Sequence, residues 1–420
     1  MKMIHNIILF LCALLLYTTC VSSSSSVKDF CVADLTLPNN PSGYPCKSAS
    51  VVTVNDFVFS NFVPGNTITP FNVEATFASV TNFPGVNGLG ISAARVDMNM
   101  NESVPMHTHS DATELLFMIQ AQLISGFITP TDVFVKTISP GDVMVFPQGL
   151  LHFQVNSGPG KAIAFSAYTS SNPSLQILDD LLFSNNLSTS LISQTTFLDS
   201  SQIRKLKALF GGTVFFCALL SYTSYVSSSS SSVKDFCVAD LTLPNNPSGY
   251  PCKSPSLVTV NDFVFSNFVP GKTITPFNFA LTIASVTNFP GINGLGISAA
   301  RLDMNINGTV PMHIHPDATE LLFMIQGQIT TGFITPTDVF VKTISPGDVM
   351  VYPQGLLHFV VNSGPEKAIA FIAYTSSNPN LHILDHLLFA NNLSTSLISQ
   401  TTFLDSSQIG KLKAQFGGTG

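Results

Sequence analysis

The chain has no tryptophan, and only 10% of its 420 residues are Asp, Glu, Lys or Arg. With 17 basic against 24 acidic side chains, a net charge of -7, it carries no basic field for a phosphate backbone and no lysine-rich patch for anionic lipid. Nucleic acid is therefore not an expected partner. A membrane span is not expected either. The leading apolar stretch, residues 7–17, covers eleven positions, whereas a bilayer-crossing helix needs about twenty. Elsewhere the apolar residues, 45% of the chain, fall in short runs broken by Gly, Pro and Asn, the pattern of many short strands.

Against these absences stands a repeat. The two halves match at a constant offset of 206 residues, from Cys31 and Cys237 to Phe210 and Phe416. Each unit of about 190 residues is large enough to bury a core without help from the other. The expected organisation is a signal peptide at 1–26, a first domain at 27–213, a linker at 214–232 and a second domain at 233–420. The signal reading rests on Lys2, the apolar stretch and the small polar segment 18–26. The linker carries a remnant of a second such signal: Phe215-Phe216-Cys217-Ala218-Leu219-Leu220 mirrors Phe10-Leu11-Cys12-Ala13-Leu14-Leu15. A fusion of neighbouring genes leaves this kind of scar.

Of the seven cysteines, Cys12, Cys20 and Cys217 sit in signal-like sequence, leaving Cys31 and Cys46 in one copy and Cys237 and Cys252 in the other. On a secretory route each pair suggests a disulfide worth about 3 kcal/mol on the loop-entropy account, the alternative being two free thiols per domain. Sequons at Asn101, Asn186, Asn307 and Asn392 occupy equivalent places in the copies and fit the same route.

The chemistry lies in His107, His109, Glu114 and His152, which recur as His313, His315, Glu320 and His358. One His-x-His pair on an apolar strand is often just two hydrogen-bonded core residues. Three histidines with a glutamate, kept twice, would bury an uncompensated carboxylate unless a cation joined them. Segments 115–119, 133–138, 143–146, 152–155 and 162–168 are rich in Val, Ile and Phe and separated by turns such as Ser139-Pro140-Gly141-Asp142. That rhythm predicts an all-β antiparallel barrel or jelly roll in each copy. His107 and His109 leave the same face of a strand, and Ser110-Asp111-Ala112 bends the chain so that Glu114 turns inward. After Asn172 the pattern turns helical, with Leu175, Leu178, Leu181 and Leu182 on one side, then a segment from Asp199 to Gly211 repeated from Asp405 to Gly417. Three imidazoles and a carboxylate leave two open positions on an octahedral ion, which suits manganese or iron; zinc more often settles at four-coordinate. Manganese, two per chain, is the expected cofactor, ahead of zinc or iron.

On these residues the chain resembles the germin-like proteins of the cupin superfamily, in particular their auxin-binding-protein-like subgroup, in both halves. One motif runs Pro105-Met106-His107-Thr108-His109 to Glu114, a second from Gly141 through Pro147, Gly149 and His152 to Asn156. Copy two repeats them from Pro311 to Glu320 and from Gly347 to Asn362. Val27-Lys28-Asp29-Phe30-Cys31 and Pro41-Ser42-Gly43-Tyr44-Pro45-Cys46 are similar to germins as well. The resemblance implies tandem double-stranded β-helix barrels that bind manganese, secretion to the apoplast, and C-terminal helices that join barrels into rings of six. It also implies superoxide dismutation and a role in plant defence or the cell wall. Auxin or another small carboxylate as ligand, or a non-catalytic storage (nutrient reservoir) role, are the alternatives. Two departures stand out: Ala121 replaces a customary Gly that copy two keeps as Gly327, and Ser110 a customary Pro that it keeps as Pro316. Germins that oxidise oxalate also place Asn where this chain has Ala94, Val104, Ala300 and Val310, so weak or absent oxalate oxidation is expected.

Overall fold

A computed structural model describes residues 30–39, 43–213, 236–246, 249–402 and 404–420. The expected signal and linker, with Cys12, Cys20 and Cys217, lie outside the described residues. Copy one forms twelve short strands: β1 (Val58–Phe59), β2 (Asn66–Ile68), β3 (Val73–Ala78), β4 (Ser92–Met98), β5 (Ser103–Thr108), β6 (Glu114–Gln120), β7 (Leu123–Ile128), β8 (Val133–Ile138), β9 (Val143–Phe146), β10 (Leu151–Asn156), β11 (Ala162–Tyr168) and β12 (Gln176–Ile177). Three helices follow, α1 (Leu178–Phe183), α2 (Thr189–Thr196) and α3 (Ser200–Phe210). Copy two repeats the order, beginning with β13 (Val264–Phe265). Its ligand-bearing strands are β17 (Thr309–Ile314), β18 (Glu320–Gln326) and β22 (Leu357–Asn362), with β21 (Val349–Tyr352) beside them. Copy two's helices α4 (Leu384–Phe389), α5 (Thr395–Thr402) and α6 (Ser406–Phe416) close the chain.

The strands are antiparallel and form the expected all-β barrel in each copy. In the first, a five-stranded sheet in the order β12-β5-β10-β7-β8 is joined by a larger sheet running β9-β6-β11-β4-β3-β2. Val, Ile and Phe fill the space between them because such residues pack well on a pleated surface. Two disulfides form, Cys31–Cys46 and Cys237–Cys252, so the thiol alternative is set aside. The Ala121/Gly327 departure has a conformational meaning: both residues lie at positive φ, +63° and +78°. Only glycine adopts that backbone without steric strain.

The barrels differ from two self-sufficient units in one respect. Each donates its first strand to the other. β1 pairs with β21, Val58 opposite Met350 and Phe59 opposite Val349; β13 pairs with β9, Val264 opposite Met144 and Phe265 opposite Val143. The Phe62 amide then donates to the Gly347 carbonyl at 2.6 Å and that of Phe268 to Gly141 at 2.6 Å. Each donated strand covers a sheet edge that would otherwise present unpaired amides and carbonyls. Phenylalanines complete the seam. Phe57 sits edge-on to Phe333 and Phe340 with ring centroids 4.8 and 5.1 Å away, and Phe263 makes the same contacts with Phe127 and Phe134 at 4.8 and 5.0 Å. Between the sheets, Phe117 meets Phe323 and Phe371 at 5.6 and 5.8 Å. A single buried apolar cluster therefore runs through both copies.

The C-terminal segment departs from the expected helix in detail. Leu175 precedes β12 instead of starting a helix, and α2 is an element that the leucine pattern did not indicate. Its start is capped by the Ser188 side chain, which accepts from the Leu191 amide at 3.2 Å, and Ile192 is fully buried against Phe183 and Ile203. Asp199 caps α3, accepting from the Ser201 amide, and Asp405 does so for α6. No helix among the described residues is long and apolar enough to cross a membrane.

Candidate functional site

Strand alternation puts His107 and His152 on the interior of the five-stranded sheet, opposite one another on β5 and β10. Between Val104 and His107 the strand carries one residue more than its partner does between Gln154 and His152, so it bulges at Pro105 and Met106. Pro105 has no amide to lose from the ladder, and a bulge re-aims the side chain that follows it. The same shift separates Val310 from His313. His109 lies just beyond the end of β5, while Glu114 opens β6 in the larger sheet. Ligands from both sheets thus meet inside the barrel.

The ligand atoms of His107, His109, Glu114 and His152 lie within 4.8 Å of one another, as do those of His313, His315, Glu320 and His358, and all eight residues are buried. Every histidine is turned by a backbone carbonyl. Nδ1 donates from His107 to Pro105 (2.8 Å), from His109 to Ser174 (2.5 Å) and from His152 to Leu150 (2.8 Å). In copy two the acceptors are Pro311, Asn380 and Leu356, at 2.7, 2.6 and 2.8 Å. A carbonyl only accepts, so Nδ1 holds a proton and Nε2 is the nitrogen that faces the centre. A carbonyl behind each ring in this way fixes an imidazole in orientation toward a metal. His152 Nε2 is within hydrogen-bond range of Glu114 Oε2 at 3.2 Å; His109 Nε2, 3.2 Å from the same oxygen, makes no aligned hydrogen bond, and His358 Nε2 also has none. Buried ring nitrogens aimed at a shared point instead of at each other fit a cation there. The donor set, hard carboxylate with borderline imidazole, suits manganese, iron or zinc.

Electrostatics separate the ligands. Burial, then the neighbouring His152, push His107 down to about 3, and burial and His358 do the same to His313, so both rings stay neutral. Burial would also lower His109, but the adjacent Glu114 carboxylate outweighs it and the group is raised above 6.5; His315 is raised in the same way beside Glu320. Burial alone would raise Glu114, whereas His109 and His152 hold it well below its usual range. Protons therefore compete with a cation at His109 and His315, and affinity for a cation falls as pH falls.

Beside each quartet is a small cavity, about 50 Å³ in copy one and about 40 Å³ in copy two. Val104 and Val310 line them, as the sequence suggests. Ala94 is buried behind, packed with Ala112 and Tyr168. Several site residues were not apparent from sequence. Tyr168 packs on His109 with centroids 4.9 Å apart, and burial followed by the Glu114 charge pushes its phenol well above 10, so it stays protonated. Ser166 Oγ donates to Glu114 Oε1 at 2.6 Å. Phe146 stacks on His152 at 4.7 Å, a place taken by Tyr352 on His358. Leu175 lines the first cavity, and so does Gln154, whose buried Nε2 has no hydrogen-bond partner among the described residues. A buried donor left unpaired costs roughly 1–3 kcal/mol.

The cupin family profile matches residues 59–204 and 265–410. An auxin-binding protein, ABP20, of Prunus persica is 50% identical over 209 residues, which is 49% of this chain and 98% of that one. Germin-like protein subfamily 3 member 1 of Arabidopsis thaliana is 50% identical over 210 residues, 50% of this chain and 99% of that one. Among solved structures, oxalate decarboxylase of Bacillus subtilis superposes with a TM-score of 0.65 over 86% of this chain and 85% of its own, at 18% identity, a likeness of fold. Another structure of that enzyme, described for its Mn(II) centres, has a TM-score of 0.66 with 86% of this chain and 87% of its own covered, at 18% identity. The chain belongs to the cupin family and is a tandem duplication of a germin-like unit.

Proposed function

We propose that this chain is a secreted germin-like protein that holds one manganese ion in each barrel and dismutates superoxide. The observation that carries the reading is the duplicated quartet, with its Nε2 atoms and carboxylate converging in a buried cavity. Bound manganese would supply one-electron exchange between its +2 and +3 states. Over a full cycle one superoxide gives up an electron and leaves as dioxygen. A second takes that electron and two solvent protons and leaves as hydrogen peroxide. His107, His109, Glu114 and His152 hold the ion in the first barrel and His313, His315, Glu320 and His358 in the second, while the backbone carbonyls behind the imidazoles keep them oriented. A cavity of about 50 Å³ takes a ligand of a few atoms. Val104 and Val310 offer no donors to a dianion, which speaks against oxalate turnover.

The test is superoxide dismutation by the purified chain. The expected activity disappears on chelation and returns with manganese; activity that survives metal removal, or returns with zinc alone, contradicts the reading.

A second reading follows from the relatives named as auxin-binding proteins: a carboxylate hormone bound at the ion with its ring among the apolar lining residues. A cavity of about 50 Å³ is too small for an aromatic ring, so this reading requires the lining side chains to move aside. A non-catalytic storage role stands behind both, since all eight ligands are kept.

Four sequon asparagines, Asn101, Asn186, Asn307 and Asn392, are exposed and suit glycosylation on the secretory route. The C-terminal helices expose Leu181, Leu191, Leu387 and Leu397 by about half each. Such unpartnered leucines suit self-association of three chains into a six-barrel ring. Light scattering should give the mass of three chains; a lone chain, or a twelve-barrel particle, contradicts the ring.

A further inference from the structure

Within each quartet one histidine is held differently from the other two. The carbonyls that orient His107 and His152 belong to Pro105 and Leu150, each two residues earlier in the chain, so both rings have their acceptors once β5 and β10 form. The carbonyl that orients His109 is that of Ser174, 65 residues further on, in the irregular stretch between β11 and β12. His315 depends in the same way on Asn380. A ring whose acceptor lies in a separate segment keeps its aim only while that segment is fixed.

Asp111, exposed and two residues past His109, makes the contacts that fix it. Its Oδ1 accepts from the Ser174 amide at 2.8 Å and from the Ser174 hydroxyl at 2.7 Å, and its Oδ2 from the Ser170 hydroxyl at 3.0 Å. His109 and Asp111 thus grip Ser174 from two sides, the ring at its carbonyl and the carboxylate at its amide. In copy two the gripped residue is Asn380. Asp317 still accepts from its amide at 2.9 Å and from its side-chain nitrogen at 3.2 Å, and from the Ser376 hydroxyl at 3.3 Å. The arrangement survives a change of side chain at its centre because the carboxylate and the imidazole hold the backbone.

The backbone that carries the ring has separate support. The His109 carbonyl accepts from the Gly149 amide at 2.9 Å, and the Ser110 carbonyl from the Gln148 side chain at 2.8 Å. Loss of the Asp111 carboxylate therefore frees the acceptor behind the ring without releasing the chain that bears it.

We propose that Asp111 and Asp317 are positioning residues: each stands outside its quartet and sets the aim of His109 or His315 through the peptide carbonyl of Ser174 or Asn380. This rests on the metal reading above.

The test compares Asp111→Ala with Asp111→Asn in the full chain loaded with manganese. Asparagine keeps an oxygen that accepts from Ser174, and its amide nitrogen can donate to the Ser170 hydroxyl, so it is the rescuing variant. The readouts are the rate at which manganese passes to excess chelator, the Mn(II) electron paramagnetic resonance spectrum, and melting of the metal-free chain. Asp111→Ala should release one of the two ions about 10–100-fold faster, the range for groups behind a ligand, and change half of the Mn(II) signal. Its metal-free melting temperature should match that of wild type, and Asp111→Asn should stay close to wild type in all three. Asp317→Ala should do the same to the other ion. Unchanged release and spectrum in both alanine variants, or a loss as large in Asp111→Asn, overturns the positioning role. So does faster release that accompanies a general fall in metal-free melting temperature. A wild-type chain that holds no metal overturns the metal reading itself, and the positioning role falls with it.

Discussion

A protease cut within residues 214–235 leaves the two halves of this chain in one particle. Each larger sheet ends in a strand from the other copy, with Val58 and Phe59 on β21 and Val264 and Phe265 on β9. Separating the halves would strip two sheet edges and open the phenylalanine seam around Phe117, Phe323 and Phe371. Lys342 reaches across to Asn55 and Lys136 to Asn261, at 3.0 and 3.2 Å, but such exposed contacts add little beside the buried rings. Phe57 and Phe263 are fully buried at the exchange, and replacing either with Ala should cost about 3–5 kcal/mol by leaving a cavity. Native size exclusion of the cut protein should show a single species containing both fragments. In denaturant melts, Phe57→Ala and Phe263→Ala should lower stability by similar amounts, because the two sites are equivalent. Halves that separate in native buffer, or variants as stable as wild type, would contradict the exchange.

Glu114→Gln should reduce bound metal from two to one per chain, and Glu114→Gln with Glu320→Gln should abolish it. The amide keeps the size of the carboxylate but removes the only carboxylate in a quartet whose other members are imidazoles. Changes to groups behind a ligand already weaken metal binding by about 10–100-fold, so loss of the charged ligand itself should exceed the upper end of that range. The substitution also removes what raises His109 above 6.5, so that ring should titrate at lower pH in the metal-free variant. Metal content after dialysis against a fixed chelator concentration measures the effect. Two metal ions retained in the double variant would show that the carboxylates are not ligands.

Much of the site was legible because its parts are local or repeated. The His-x-His pair, the glutamate after a short bend, and the later histidine all meet where strand alternation places them. The segments expected at 133–138, 143–146 and 162–168 are β8, β9 and β11. The exchange was not legible, for a physical reason. In a duplicated sequence β1 has the same pairing options on β9 as on β21, and a two-residue strand carries no register of its own. Gln154 was hidden by inverted polarity. In Leu151-His152-Phe153-Gln154-Val155-Asn156 the alternation is plain, but the polar face is the buried one. Period-two patterning distinguishes the faces of a strand without saying which one the core takes. Helix α2, Thr189 to Thr196, is rich in Ser and Thr and has weak intrinsic helix propensity; its cap and the burial of Ile192 supply what its composition lacks.

Whether the two quartets hold manganese is decided by the metal content of the secreted, purified protein, measured by inductively coupled plasma mass spectrometry. Close to two manganese ions per chain are expected. Zinc in their place, or no bound metal, would contradict the manganese reading.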